Sequence, residues 1–67
     1  MIKLTLNGKP ASLCAGDTLI DLIRRHQLEN RRIAVELNAE VVPRSRYGDV
    51  RLQPGDRIEI VHAIGGG

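Results

Sequence analysis

"AGDTLIDLIRRHQL", residues 15–28, is where the chain changes period. Apolar Leu19, Leu22 and Ile23 recur at helical spacing, while Arg24 and Arg25 fall on the outward side. Thr18 and Asp21 fit a capping box, in which each side chain satisfies a backbone N–H that the first turn leaves unpaired. Asp17 and Asp21 also stand at the positive end of the helix dipole. The pattern fades through Gln27 to Asn30. The other apolar stretches alternate with period two, so this segment is one helix set among strands, and its reading decides the fold class.

Working outward, "IKLTL" places Ile2, Leu4 and Leu6 on one face and Lys3 and Thr5 on the other. Asn7-Gly8 supplies the positive φ that a tight hairpin requires. "ASLC" returns as a short second strand, and Pro10 at its start marks an edge. After the helix, "RIAVEL" turns Ile33, Val35 and Leu37 inward and Glu36 outward. Asn38 makes a turn, and Val41-Val42 is a brief strand stopped by Pro43. "RSRYGDVRLQPGD" reads as turn and loop, punctuated by Gly48-Asp49 and Pro54-Gly55-Asp56. "RIEIVHAI" is the last and longest strand, with Ile58, Ile60 and Ile64 in one phase. The order β-β-α-β-β-β gives an α+β fold, a mixed sheet packed on one helix. Residues 1–64 form the domain, and residues 65–67 a flexible glycine tail.

A chain of 67 residues is one small domain, and such a chain buries only about 60% of the surface its unfolded form exposes. With one Tyr and no Phe or Trp, the core is expected to be aliphatic. Ten basic and eight acidic residues leave a net charge of +2, too mild to imply nucleic acid. Arg24-Arg25, Arg31-Arg32, and Arg44 with Arg46 cluster locally, but no aromatic residues interleave with them for base stacking. They read as solvated faces or as a docking surface for an acidic partner. Cys14 is the only cysteine, so no internal disulfide can form, which favours a reducing compartment. No segment approaches the roughly 20 apolar residues of a membrane span, and the N-terminus lacks a secretory pattern. The expectation is a cytoplasmic protein.

Catalysis needs titratable groups that converge. The candidates are Cys14, His26 and His62, and nothing in their spacing forces them together. Cys14 is expected to be buried or half-buried in a structural role, and His62 to pack partly near the sheet end. Two histidines and one cysteine so scattered make no recognisable metal set. No phosphate-binding glycine loop is present. The expectation is a protein that catalyses nothing alone, binds no metal and holds no cofactor of its own.

The chain closes on "EIVHAIGGG". Three glycines in a row end regular structure, so Gly65, Gly66 and Gly67 should project as an arm reaching about 10 Å. Without side chains such an arm could enter a narrow channel in another protein. Its α-carboxylate is ionised at neutral pH and could attack an ATP α-phosphate held by a separate enzyme. On the glycines alone, a frayed end comes ahead of a reactive handle.

The longer stretches carry a resemblance. "LNGKP", "DTLIDLI", "IAVELNAEVVPRSRY" and "LQPGDRIEIVHAIGGG" together are similar to the sulfur carriers of thiamine biosynthesis, within the ubiquitin-like β-grasp proteins. The combination of "AVELN", "VVPR", the Pro-Gly-Asp turn and a terminal Gly-Gly is what makes the likeness specific. The resemblance implies a mixed sheet wrapped on one helix, with first and last strands adjacent and parallel. It implies that Gly67 is adenylated by a ubiquitin-activating-like adenylyltransferase using ATP. Gly67 is then converted to a thiocarboxylate with sulfur from a cysteine desulfurase-type donor. Thiazole synthase would accept that sulfur. Gly66 becomes the second residue of the Gly-Gly pair and Gly65 an additional one. Val61, Ala63 and Ile64 are candidates for partner docking by their nearness to the tail.

Three alternatives stay open. A carrier for molybdenum cofactor or tRNA thiolation would share the fold and the Gly-Gly end. A β-grasp interaction or RNA-binding module would use Arg24, Arg25, Arg31 and Arg32 as a coherent basic face. An enzyme subunit would use Cys14 as nucleophile.

Overall fold

The alternating stretches become strands where their period places them. The computed structural model describes residues 1–62. Among these, β1 is Ile2–Leu6, β2 Lys9–Leu13, α1 Leu19–Arg25, β3 Ile33–Leu37, β4 Glu40–Val42 and β5 Arg57–His62, with a 3₁₀ turn at Arg44–Arg46. The sheet order is β2-β1-β5-β3-β4. β1 and β5 run parallel, with Thr5 beside Arg57 and Leu6 beside Ile58, and the other neighbours are antiparallel. β2 takes in Pro10 and lies at an edge, where a residue without an N–H costs no ladder bond.

Leu19, Leu22 and Ile23 of α1 are fully buried against Leu4, Leu13, Val35, Ile58 and Ile60. Each such side chain contributes roughly 1.5–3 kcal/mol by leaving water. α1 is therefore the second layer that closes one face of the sheet.

The helix start uses both its own residues and the long loop. The Asp21 carboxylate accepts from the Thr18 N–H at 2.9 Å and from the Thr18 hydroxyl at 3.1 Å, forming the expected capping box. The Leu19 and Ile20 N–H groups donate to the carbonyls of Val50 and Tyr47, at 2.9 and 3.1 Å. These are donors that a helix cannot satisfy internally. The end is a Schellman cap: the Leu28 N–H donates to the Ile23 carbonyl and the Gln27 N–H to the Arg24 carbonyl, both at 3.0 Å. Gln27 holds the left-handed position, φ 59°, that glycine usually fills.

Both hairpins turn on two left-handed residues. Asn7 and Gly8 have φ of 52° and 80°, and Asn38 and Ala39 have 51° and 71°.

Two sequence expectations need correction. Tyr47 is 5% exposed and belongs to the core, so the interior is not purely aliphatic. Its segment follows the 3₁₀ turn and meets the helix start, where the Tyr47 carbonyl accepts from the Ile20 N–H. Leu52, 2% exposed, joins it from the stretch read as loop. Cys14 is exposed rather than buried, because β2 ends at Leu13, whose side chain takes the inward place.

Candidate functional site

β5 is the middle strand, and it leads towards the C-terminal segment. Five residue pairs tie it to β3, from Leu37 beside Ile58 to Ile33 beside His62. On the other side, the Asn7 side-chain oxygen accepts from the Ile60 N–H at 2.8 Å, and the Asn7 N–H donates to the Ile58 carbonyl at 2.8 Å. Asn38 does similar work at the strand start. Its Oδ1 accepts from the Arg57 N–H at 2.9 Å, and its Nδ2 donates to the Asp56 carboxylate at 3.0 Å. With Ile58 and Ile60 in the core, β5 is fixed from both flanks and from below.

Its outer face is open. Val61, 60% exposed, pairs with exposed Ala34, and Glu59 stands directly opposite Glu36. Val41, 71% exposed, sits across from Glu36 on β4. Like charges directly opposite weaken a strand pair, and Arg57 lines the same patch as Glu36 and Glu59. Val61 was legible as an outward residue near the tail. Val41 was missed, although alternation with inward Val42 signals it. Ala63, Ile64, Gly65, Gly66 and Gly67, and the domain boundary at residue 64, lie outside the described residues.

The polar candidates are not brought together. Cys14 follows β2 at one end of the sheet and His62 closes β5 at the other; the register sets them roughly 30 Å apart. His26 is the exposed C-cap of α1. His62 keeps the phase of Ile58 and Ile60 but is exposed, since it pairs only with the first residue of β3. Among the described residues no three His, Cys, Asp or Glu side chains group to hold a metal ion, and no helix is long and apolar enough to cross a membrane. Asp21 is held below the usual carboxylate range by the Thr18 N–H, then by the Thr18 hydroxyl and by Arg24 and Arg25. It serves the cap and stands apart from the strand that leads to the tail.

The basic clusters do not merge into one face of free cations. Arg24 pairs with Glu29 at 2.9 Å, Arg25 with Asp17 at 3.2 Å, and Arg46 more loosely with Asp49 at 3.9 Å.

A mixed five-stranded sheet with its first and last strands as parallel neighbours, crossed by one helix, is a ubiquitin-like β-grasp fold. Nothing on its described surface assembles a catalytic centre, and its central strand runs out towards the terminal glycines. Residues 4–67 match the model of the ThiS family, and the chain belongs to that family. The sulfur carrier protein ThiS of Bacillus subtilis is 45% identical over 96% of this chain and 98% of its own length. The thiazole synthase of Magnetococcus marinus is 47% identical over 98% of the chain, which spans 20% of that protein's length. The crystal structure of the thiamine biosynthesis protein ThiS from Geobacter metallireducens superposes with a TM-score of 0.85 at 29% identity, covering 98% of this chain and all of the other.

Proposed function

We propose that this chain is a sulfur carrier for thiamine biosynthesis, with Gly67 as the residue that is activated and loaded. The observation that carries the reading is the family match, which runs to residue 67 across nearly the whole chain. The anchoring of β5 supports it: the strand that leads to the terminal segment is held on both sides.

The chemistry is supplied by partners, and the carrier is their co-substrate. A Gly67 carboxylate oxygen attacks the α-phosphorus of ATP held by a ubiquitin-activating-like adenylyltransferase. The bond to pyrophosphate breaks, and a mixed anhydride with AMP forms. The terminal sulfur of a persulfide on a cysteine desulfurase-type donor then attacks the acyl carbon and AMP leaves; a thiol reductant cleaves the acyl disulfide so formed, and a thiocarboxylate remains. Thiazole synthase takes the sulfur and returns the carboxylate. Gly66 and Gly65 leave room for a narrow channel because they carry no side chains. Val61, with Ala63 and Ile64 beyond it, provides an apolar contact beside the entrance. ATP is used by the partner, and a cytoplasmic location suits these partners.

The test is an intact-mass measurement after incubation with the activating enzyme, ATP and the sulfur donor. The expected gain is about 16 Da, one oxygen exchanged for sulfur, and fragmentation should place it on Gly67. An unchanged mass, under conditions where the Bacillus subtilis relative is modified, would refute the proposal.

A further inference from the structure

Two arginines lie close to the end of β5. Arg24, Arg25 and Arg46 each face a carboxylate. Among the described residues, Arg31 and Arg44 face none. Arg44 instead donates from Nη2 to the backbone carbonyl of Arg31 at 3.2 Å. That bond neutralises no charge, and it holds the 3₁₀ turn against the segment entering β3.

Their location follows from the register. Ile33 pairs with His62, the last described residue of β5. Ile33 and Arg44 also line one pocket of ≈ 200 Å³ with Ile20, Ile23, Leu28 and Glu29, whose carboxylate pairs with Arg24. Arg31 lies two positions before Ile33 and is exposed, as is Arg44. Residues far apart in sequence thus set two cations beside the root of the C-terminal segment. Five residues follow His62, and five extended residues reach at most roughly 17 Å. Any enzyme acting on Gly67 must therefore bring its surface near these cations. At physiological salt the charges are felt over about 8 Å.

We propose that Arg31 and Arg44 form a cationic collar that docks an acidic rim around the tail-binding channel of the activating enzyme. This rests on the carrier reading and adds the chemistry of the partner's surface. A protein carboxylate surface fits better than nucleic acid, because the single aromatic residue of the chain, Tyr47, is buried and offers no stacking platform. Charges at the edge of an interface act mainly on encounter, so the collar should govern KM and its salt dependence rather than the chemical step.

The experiment measures pyrophosphate release by the activating enzyme across a salt series, for the wild type, R31E, R31E/R44E and R46E. R31E/R44E should raise KM by about tenfold with kcat unchanged, and flatten the salt dependence of kcat/KM. R31E keeps the backbone carbonyl that Arg44 uses and should show part of the effect in a chain that melts like the wild type. R46E, in the same 3₁₀ turn as Arg44 but at an arginine that faces Asp49, should behave as the wild type. KM and salt slope unchanged in R31E/R44E, with the wild type turning over, would overturn the collar alone. No pyrophosphate release from the wild type would overturn the carrier reading and the collar with it.

Discussion

Asn7 and Asn38 do the same job twice: each takes a left-handed turn position and spends its amide on β5. Asn7→Gly separates the two roles, because glycine keeps the positive φ and loses the acceptor. Leaving the Ile60 N–H without that partner should cost about 1–3 kcal/mol. Denaturant unfolding checks the cost, and faster hydrogen exchange at Ile60 shows where it falls. Asp21 makes a pH prediction. Its carboxyl is held below the ordinary range chiefly by the Thr18 N–H, so the folded state favours the ionised form. The stabilisation is present above the ordinary carboxylate pKa and is lost as pH falls through the lowered folded value. Asp21→Asn should be less stable at neutral pH and lose less on acidification, read as the difference between two melting curves. At this scale the Asn7-Gly8 turn and the Thr18–Asp21 cap were legible because both are local chemistry. The exposure of Cys14 was not, since it depends on where β2 stops.

Among the elements, α1 is only seven residues long, too short to persist alone in water. Its persistence depends on its buried face, the loop carbonyls at its start and the Schellman cap at its end. Gln27→Gly should stabilise the protein by about 0.5–1 kcal/mol, because a left-handed non-glycine residue costs roughly 1–2 kcal/mol and glycine returns part of that as chain entropy. The check is a higher denaturant midpoint at unchanged slope. Strands and helix could be read from periods of two and 3.6 residues. The stretch from Pro43 to Asp56 could not. Tyr47 and Leu52 are buried there without any repeating spacing, because long-range bonds set their positions: the Tyr47 carbonyl accepts from the Ile20 N–H, and the Leu52 N–H donates to the Asp17 carbonyl.

For the whole molecule, one helix covering one sheet leaves no redundancy. A chain of 67 residues holds about 3–10 kcal/mol of stability in total. Leu22, fully buried, should cost about 2–5 kcal/mol when changed to Ala. Much of the Leu22→Ala population should unfold at moderate temperature, visible as loss of circular dichroism well below the wild-type transition. The parallel pairing of β1 with β5 was legible only through the family likeness, since no local pattern reports a contact between the two ends of a chain. The role given to the terminal glycines likewise came from the family likeness, and those residues lie outside the described ones. The collar could not, because Arg31 and Arg44 meet only after the 3₁₀ turn folds back on the entry to β3.

The middle position of β5 also has a mechanical side. Traction applied beyond His62 would run along the strand axis, across ladder bonds shared with β1 and β3. Those bonds would resist in shear, yielding together instead of peeling one by one. A domain built in this way can be tugged at its extremity without coming undone.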